Sequence, residues 1–114
     1  MSRHDDTVSM RHMLDHAREA VEMAQGRKRS DLDTDRMLEL ALTRLVEIVG
    51  EAATRISKER RQRQTGIAWS QIIGMRNRLI HGYDAVDLDI LWDIVQGDLP
   101  PLVEQLETII EVET

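Results

Sequence analysis

Apolar side chains recur at three- and four-residue intervals along most of this chain, the spacing of one helix face. The first such run covers residues ~6–25, where Met10, Met13, Leu14, Ala17, Val21 and Ala24 fall on one side. Asp5, Asp6 and Thr7 are its candidate N-caps, and Gly26 is placed to end it before the basic loop Arg27-Lys28-Arg29. The second run, residues ~34–58, is the strongest. Leu38, Ala41, Leu42, Leu45, Val49, Ala52 and Ile56 form its stripe, Leu40 and Val46 widen it, and Asp31, Asp33 and Thr34 are placed to cap it. Gly50 costs about 1 kcal/mol inside a helix. Together with Ala53 it predicts a seam where another helix approaches closely.

Residues ~68–80 predict a third helix, with Trp69, Ile72, Ile73, Leu79 and Ile80 toward apolar neighbours and Trp69 in the core. Residues ~87–97 predict a fourth, capped by Asp87. Leu88, Ile90, Leu91, Trp92, Ile94 and Val95 give it an apolar arc wide enough to touch both the core and a second chain. Gly97-Asp98-Leu99-Pro100-Pro101 then predicts a break or a kink, with Asp98 placed to cap a last helix that buries Leu99, Leu102, Val103, Leu106, Ile109 and Ile110. No alternating strand pattern, internal repeat or low-complexity tract is present. The expectation is one all-α domain over residues 1–114, an antiparallel bundle of four to five helices.

The chemistry concentrates at the end of the third helix, in Arg76-Asn77-Arg78-Leu79-Ile80-His81-Gly82-Tyr83. Arg76 offers a permanently charged fork suited to phosphate oxygens. His81 can exchange a proton near neutrality. One could stabilise a phosphorane while the other moves the proton of an attacking 2′-hydroxyl or of a leaving oxygen. Residues five apart on a helix differ by about 140° in direction, so Arg76 and His81 cannot share a face. Either the helix ends near Ile80, with Gly82 as its C′ residue, or two chains each supply one part. A histidine still in the last turn would have its protonated form favoured by the helix dipole.

Composition narrows the readings. The 114 residues carry a formal charge of −6, which disfavours indiscriminate nucleic-acid binding. All 15 lysines and arginines lie within residues 1–78 with 12 acids, whereas residues 79–114 hold 9 acids and no lysine or arginine. Any RNA contact therefore belongs to the upstream part. With no Phe, two Trp and one Tyr, such contact rests on phosphate and shape rather than base stacking. Arg78 and the run Arg60, Arg61, Arg63 are candidate RNA contacts, although a solvated surface accounts for them equally. Glu47 and Glu51 border the small-residue seam, as ordinary ion-pairing residues or as partners that orient Arg76. His12 and His16, four apart, could chelate a metal, but nothing forces a third ligand beside them and the reading is a solvated helix face. The absence of cysteine excludes disulfides and thiolate metal sites. No run approaches the ~18 apolar residues of a membrane span, and MSRHDDTV lacks a signal-peptide core, so the cytoplasm is the expected location.

The pattern R-N-x3-H-x-Y resembles the motif of the HEPN superfamily, and more closely that of HepT-like toxins from HepT/MntA toxin–antitoxin modules. The blocks LELALTRLVEIVGEAATRIS and WSQIIGMRNRLIHGYDAVDLDILWDIVQGDLPPLVEQLE extend the resemblance from near Asp31 to near Glu107. A bare R-x4-H arises by chance in many helices, but the motif joined to Asn77, Gly82, Tyr83 and the downstream D-x-L-W-D-I-V segment is specific. The resemblance implies a HEPN-like homodimer, a metal-independent endoribonuclease without cofactor, whose two motifs face one another between protomers. Arg76, Asn77 and His81 match its catalytic positions, and Tyr83 matches the tyrosine that an MntA-type nucleotidyltransferase modifies with AMP to silence the toxin. Two other readings stay open: a non-catalytic nucleotide-binding or interaction module that docks a nucleotidyltransferase, and a structural dimer with a relict motif.

Overall fold

Asp5 starts the first helix by accepting a hydrogen bond from the Thr7 amide at 2.9 Å, which satisfies one of the free donors of the opening turn. The structure, a computed structural model, describes residues 5–81 and 85–113, with His81 and Glu113 described by their backbone alone. Helix α1 (Asp6–Met23) buries Met10, Met13, Leu14, Ala17 and Ala20. Gly26, at φ +75°, supplies the left-handed residue that turns the chain back. A short helix α2 (Asp31–Thr34) follows, and then α3 (Arg36–Thr54). The cap of α3 is Asp35, which accepts from the Leu38 amide at 3.0 Å, and not Asp31, Asp33 or Thr34, which form α2 instead.

Helix α3 stops at Thr54, earlier than periodicity predicts, because the chain kinks through Arg55–Ser57 and restarts as α4 (Lys58–Arg63). Ser57 makes that restart. Its hydroxyl caps the Arg60 amide, and Asp6 binds its amide at 2.9 Å and its hydroxyl at 2.7 Å. This bond places the start of α1 beside the end of α3, so the two helices run antiparallel. Arg18 on α1 reaches Glu107 on the last helix, α8 (Leu99–Glu113), at 2.8 Å, and the end of α1 at Val21 and Ala24 lies beside Pro100 at the start of α8, so these two helices are antiparallel as well. The core lies among these three long helices and is closed by Ile67, Ile72, Met75, Leu79, Leu91 and Ile94.

Further expectations change. Residues ~68–80 are not one helix but α5 (Trp69–Ile73) and α6 (Met75–Leu79), parted at Gly74. The chain then makes a two-residue antiparallel ladder, β1 (Ile80–His81) with β2 (Ala85–Val86), pairing Ile80 with Val86 and His81 with Ala85. So short a ladder leaves no alternating pattern to read. Of the break or kink foreseen at Gly97–Pro101, the break is absent and the irregularity lies in the turn before it. After α7 (Leu88–Asp93), capped by Asp87, residues Ile94–Asp98 form a π-helical turn that flows into α8. Pro100 and Pro101 lack amide donors and would crowd the preceding carbonyls of a regular helix; the wider turn accommodates them without ending it. Asp98 therefore caps nothing and is free to bind elsewhere. Leu40 and Ile80, expected inside, are 50% and 41% exposed, and Trp69 is half-buried, its indole N–H donating to the Gln64 carbonyl at 2.9 Å. Among the described residues, no helix is long and apolar enough to cross a membrane.

Candidate active site

The motif segment is held against α3 by its small-residue seam. A Cβ built on Gly50 would lie 3.4 Å from the Ile72 carbonyl oxygen, and Ala53 is fully buried nearby in the sequence. That close approach seats α5 on α3. Gly74 then lets the chain change direction, and Met75 and Leu79, four apart and both buried, anchor one side of α6. Arg76, Asn77 and Arg78 are left on the exposed side.

Helix α6 ends at Leu79 because Ile80 adopts extended backbone angles, φ −78° and ψ 120°. The Asp87 amide donates to the Leu79 carbonyl at 2.8 Å, which ties off the end. The termination demanded by the 140° separation of Arg76 and His81 is thus present. His81 is not in the last helical turn but in β1, so the dipole argument for its protonation does not apply. Gly82, the expected C′ residue, and Tyr83 lie outside the described residues, as does the His81 side chain.

Arg76 is 59% exposed, and its Nε lies 3.8 Å from Glu47 Oε2. Glu47, half-buried on α3, meets a second guanidinium through its other oxygen: Arg44 Nη1 is 3.8 Å from Oε1. Glu51 does not reach Arg76. It pairs with Arg44 at 3.7 Å. Of the two acids singled out along the chain, Glu47 is the one beside the motif arginine.

The other candidates separate from this cluster. Arg78, two residues on and about 200° round the helix, turns away from Glu47. It bonds Asp98 at 2.9 Å, and Asp98 also accepts from Gln71 at 3.2 Å. The π-helical turn thereby fastens the motif segment from its second side. Arg60, Arg61 and Arg63 sit on α4, beyond the C-terminal end of α3. Arg63 is exposed, and the Arg61 Nε is buried with no hydrogen-bond partner among the described residues. His16 Nδ1 donates to the His12 carbonyl at 2.7 Å, and the two rings meet edge to face. Among the described residues no group of three or more His, Asp or Glu side chains converges.

Among the described residues two ionisable groups are shifted, both at the turn that positions α3 and α7. The Leu38 amide and the Arg27 guanidinium hold the Asp35 carboxyl below its usual range. Hydrogen bonds that Arg29 donates to Asp89 and Asp33 raise its already high value. Sequence reasoning missed Arg44 and Asp35 and gave Asp98 a different role, that of a cap. Arg44 carried a signal, since it precedes Glu47 by three residues and Glu51 by seven. Asp98 carried none, because its role depends on a π turn.

The chain matches the family described as Ribonuclease HepT-like over residues 13–109. It is 33% identical to a candidate RNase of Caldanaerobacter subterraneus, over 91% of this chain and 93% of that protein. It is 29% identical to a candidate RNase of Methanocaldococcus jannaschii, over 96% of this chain and all of the other. A protein of Thermococcus cleftensis named "Probable ribonuclease HepT" is 32% identical over 84% of this chain and 91% of its own length. No solved structure matches the chain.

Proposed function

The chain belongs to the HepT-like ribonuclease family, and from that premise we propose that it is a metal-independent endoribonuclease, the toxin of a toxin–antitoxin pair. The observation that carries this reading is the end of α6. Arg76 stands exposed on its last turns, and the helix stops at Leu79, so the chain is no longer bound to a helical angle when it reaches His81 two residues later.

In the proposed reaction the RNA 2′-hydroxyl attacks the adjacent phosphorus and the P–O5′ bond breaks. The products are a 2′,3′-cyclic phosphate and a free 5′-hydroxyl. The Arg76 guanidinium neutralises the charge that builds on the phosphorane oxygens. The His81 imidazole moves the proton of the attacking hydroxyl or delivers one to the leaving oxygen. Asn77, exposed beside Arg76, orients one of these groups or the phosphate. Glu47 keeps Arg76 on the correct side of the helix while no RNA is bound. The working unit is a homodimer in which two motifs border one cleft.

An RNA panel incubated in EDTA with wild type, Arg76→Ala and His81→Ala tests this. The expected result is cleavage by wild type and a loss of about 10²-fold or more in each variant, the scale of a lost charge stabiliser or proton carrier. Equal activity in all three rejects the assignment. The partner in this proposal is an MntA-type nucleotidyltransferase that transfers AMP to the Tyr83 hydroxyl. A bulky anion two residues from His81 would repel the RNA phosphate. Incubation with that enzyme and ATP is expected to raise the intact mass by one AMP adduct in wild type and not in Tyr83→Phe. A module that only binds nucleotide would instead bind ATP tightly and turn over no RNA.

A further inference from the structure

We propose that Arg44 is a second phosphate-binding residue of the site and grips the RNA backbone one phosphate away from the bond that Arg76 serves. This inference rests on the ribonuclease reading above.

Arginines that meet a carboxylate in this structure hold it with differing tightness, and Arg36 meets Glu39 on its own helix at 3.4 Å. Arg18, Arg27, Arg29 and Arg78 each donate a short hydrogen bond to a carboxylate, at 2.8, 2.5, 2.6 and 2.9 Å. Their forks are spent on joining elements. Arg44 and Arg76 differ. Their nearest carboxylates stand at 3.7–3.8 Å, beyond hydrogen-bond length, and both side chains are about 60% exposed. Neither donates a hydrogen bond to a described residue, so both forks keep their donors. Loose pairing in water is worth little, whereas a bidentate bond to phosphate is short and charge-assisted. These two arginines can therefore exchange their carboxylates for a ligand.

They are also placed to act on one ligand. Glu47 stands between them, one oxygen toward each guanidinium. The separation of the two cations is thus at most two loose ion-pair lengths and the width of a carboxylate, which suits neighbouring phosphates of one strand rather than distant ones. Glu47 and Glu51 keep Arg44 on the side of α3 that faces Arg76. Because the chain is acidic overall and poor in aromatics, backbone contacts of this kind have to supply most of its hold on RNA. The role of Arg44 is binding, and the reacting atoms remain with Arg76 and His81.

The test is binding of a fluorescent, mixed-sequence single-stranded RNA to the full-length His81→Ala protein, measured by anisotropy across a salt series. Adding Arg44→Ala is expected to weaken binding about tenfold and to reduce the slope of log Kd against log salt by about 0.7, the release expected for one single-strand phosphate. Arg44→Lys is expected to keep the slope. Arg18→Ala, in the pair that joins α1 to α8, is expected to leave slope and affinity unchanged. In otherwise wild-type protein, Arg44→Ala is expected to raise KM with kcat within about twofold, whereas Arg76→Ala loses kcat. If the His81→Ala protein binds RNA and Arg44→Ala changes neither slope nor affinity, or if Arg18→Ala changes them equally, the proposal fails and the ribonuclease reading stands. If the His81→Ala protein binds no RNA, both fail together.

Discussion

In the proposed site Glu47 has no chemistry of its own, and its part is to hold Arg76, whose Nε it faces at 3.8 Å. A guanidinium on a flexible stem loses rotamer freedom when it engages phosphate, and a carboxylate at 3.8 Å restricts it beforehand without spending its donors. Removing that charge has two opposed consequences. Arg76 becomes less well aimed, and both Arg76 and Arg44 lose the anion that competes with RNA. Glu47→Gln is therefore expected to lower kcat about three- to tenfold while KM stays level or falls, with little change in Tm. A rise in KM at constant kcat would show that Glu47 does not orient Arg76. The spacing of Glu47 from Gly50 on α3 already marked it as a neighbour of the motif, but the choice between Glu47 and Glu51 was not legible. Both acids lie on the outer side of α3, and only the seat of α5 and α6 tells which of them Arg76 meets.

At the scale of elements, two joints govern the motif. One is the cap of α3. Asp35 binds the Leu38 amide and Arg27 in its charged form, and its carboxyl titrates below the ordinary 3.8. A carboxylate favoured in the folded state contributes stability above its unfolded value, and that contribution disappears as pH falls through the lower folded value. Asp35→Ala is thus expected to lower Tm at neutral pH, and the difference from wild type should narrow steadily below about pH 4. A difference that stays constant to pH 2 would mean that the charged cap contributes nothing. The other joint is Gly50. A leucine there would press into the Ile72 carbonyl, which already lies at 3.4 Å from a Cβ, and backbone cannot yield as a side chain does. Gly50→Leu is expected to cost about 1–3 kcal/mol in urea unfolding. It should lower RNA cleavage by more than the residual folded fraction explains, because α5 and α6 move with their seat. Its role was legible, because small residues inside a strong apolar stripe have few other uses. The Asp35 cap was not, since Asp31, Asp33 and Thr34 compete for the same purpose in a stretch dense in capping residues.

For the whole molecule, the three long helices form an antiparallel frame whose core residues Met10, Met13, Leu42, Val46, Leu102 and Leu106 are essentially inaccessible. Met37 and Leu40 lie outside this frame, at 81% and 50% exposure. The homodimer is part of the proposed mechanism and has its own test. Sedimentation equilibrium is expected to give twice the 13.1 kDa of one chain. A monomer at micromolar concentration would remove the shared cleft from the proposed mechanism. Mixing inactive Arg76→Ala with inactive His81→Ala checks the same point, since a cleft shared between chains regains activity in mixed dimers and two separate sites do not.

Helical periodicity alone determined the class of fold and most of the core on α1, α3 and α8, and the residue types of 76–83 marked the candidate site. Burial of one helical face is a local, repeating requirement that leaves its period in the order of residues. Tertiary structure alone decided where that order is interrupted: the break at Gly74, the ladder after Leu79 and the π turn before Pro100. It also decided which distant charges meet, Arg76 at Glu47 and Arg78 at Asp98. These features depend on contacts between segments distant in sequence, whose energies are set by approach and angle and leave no period to read.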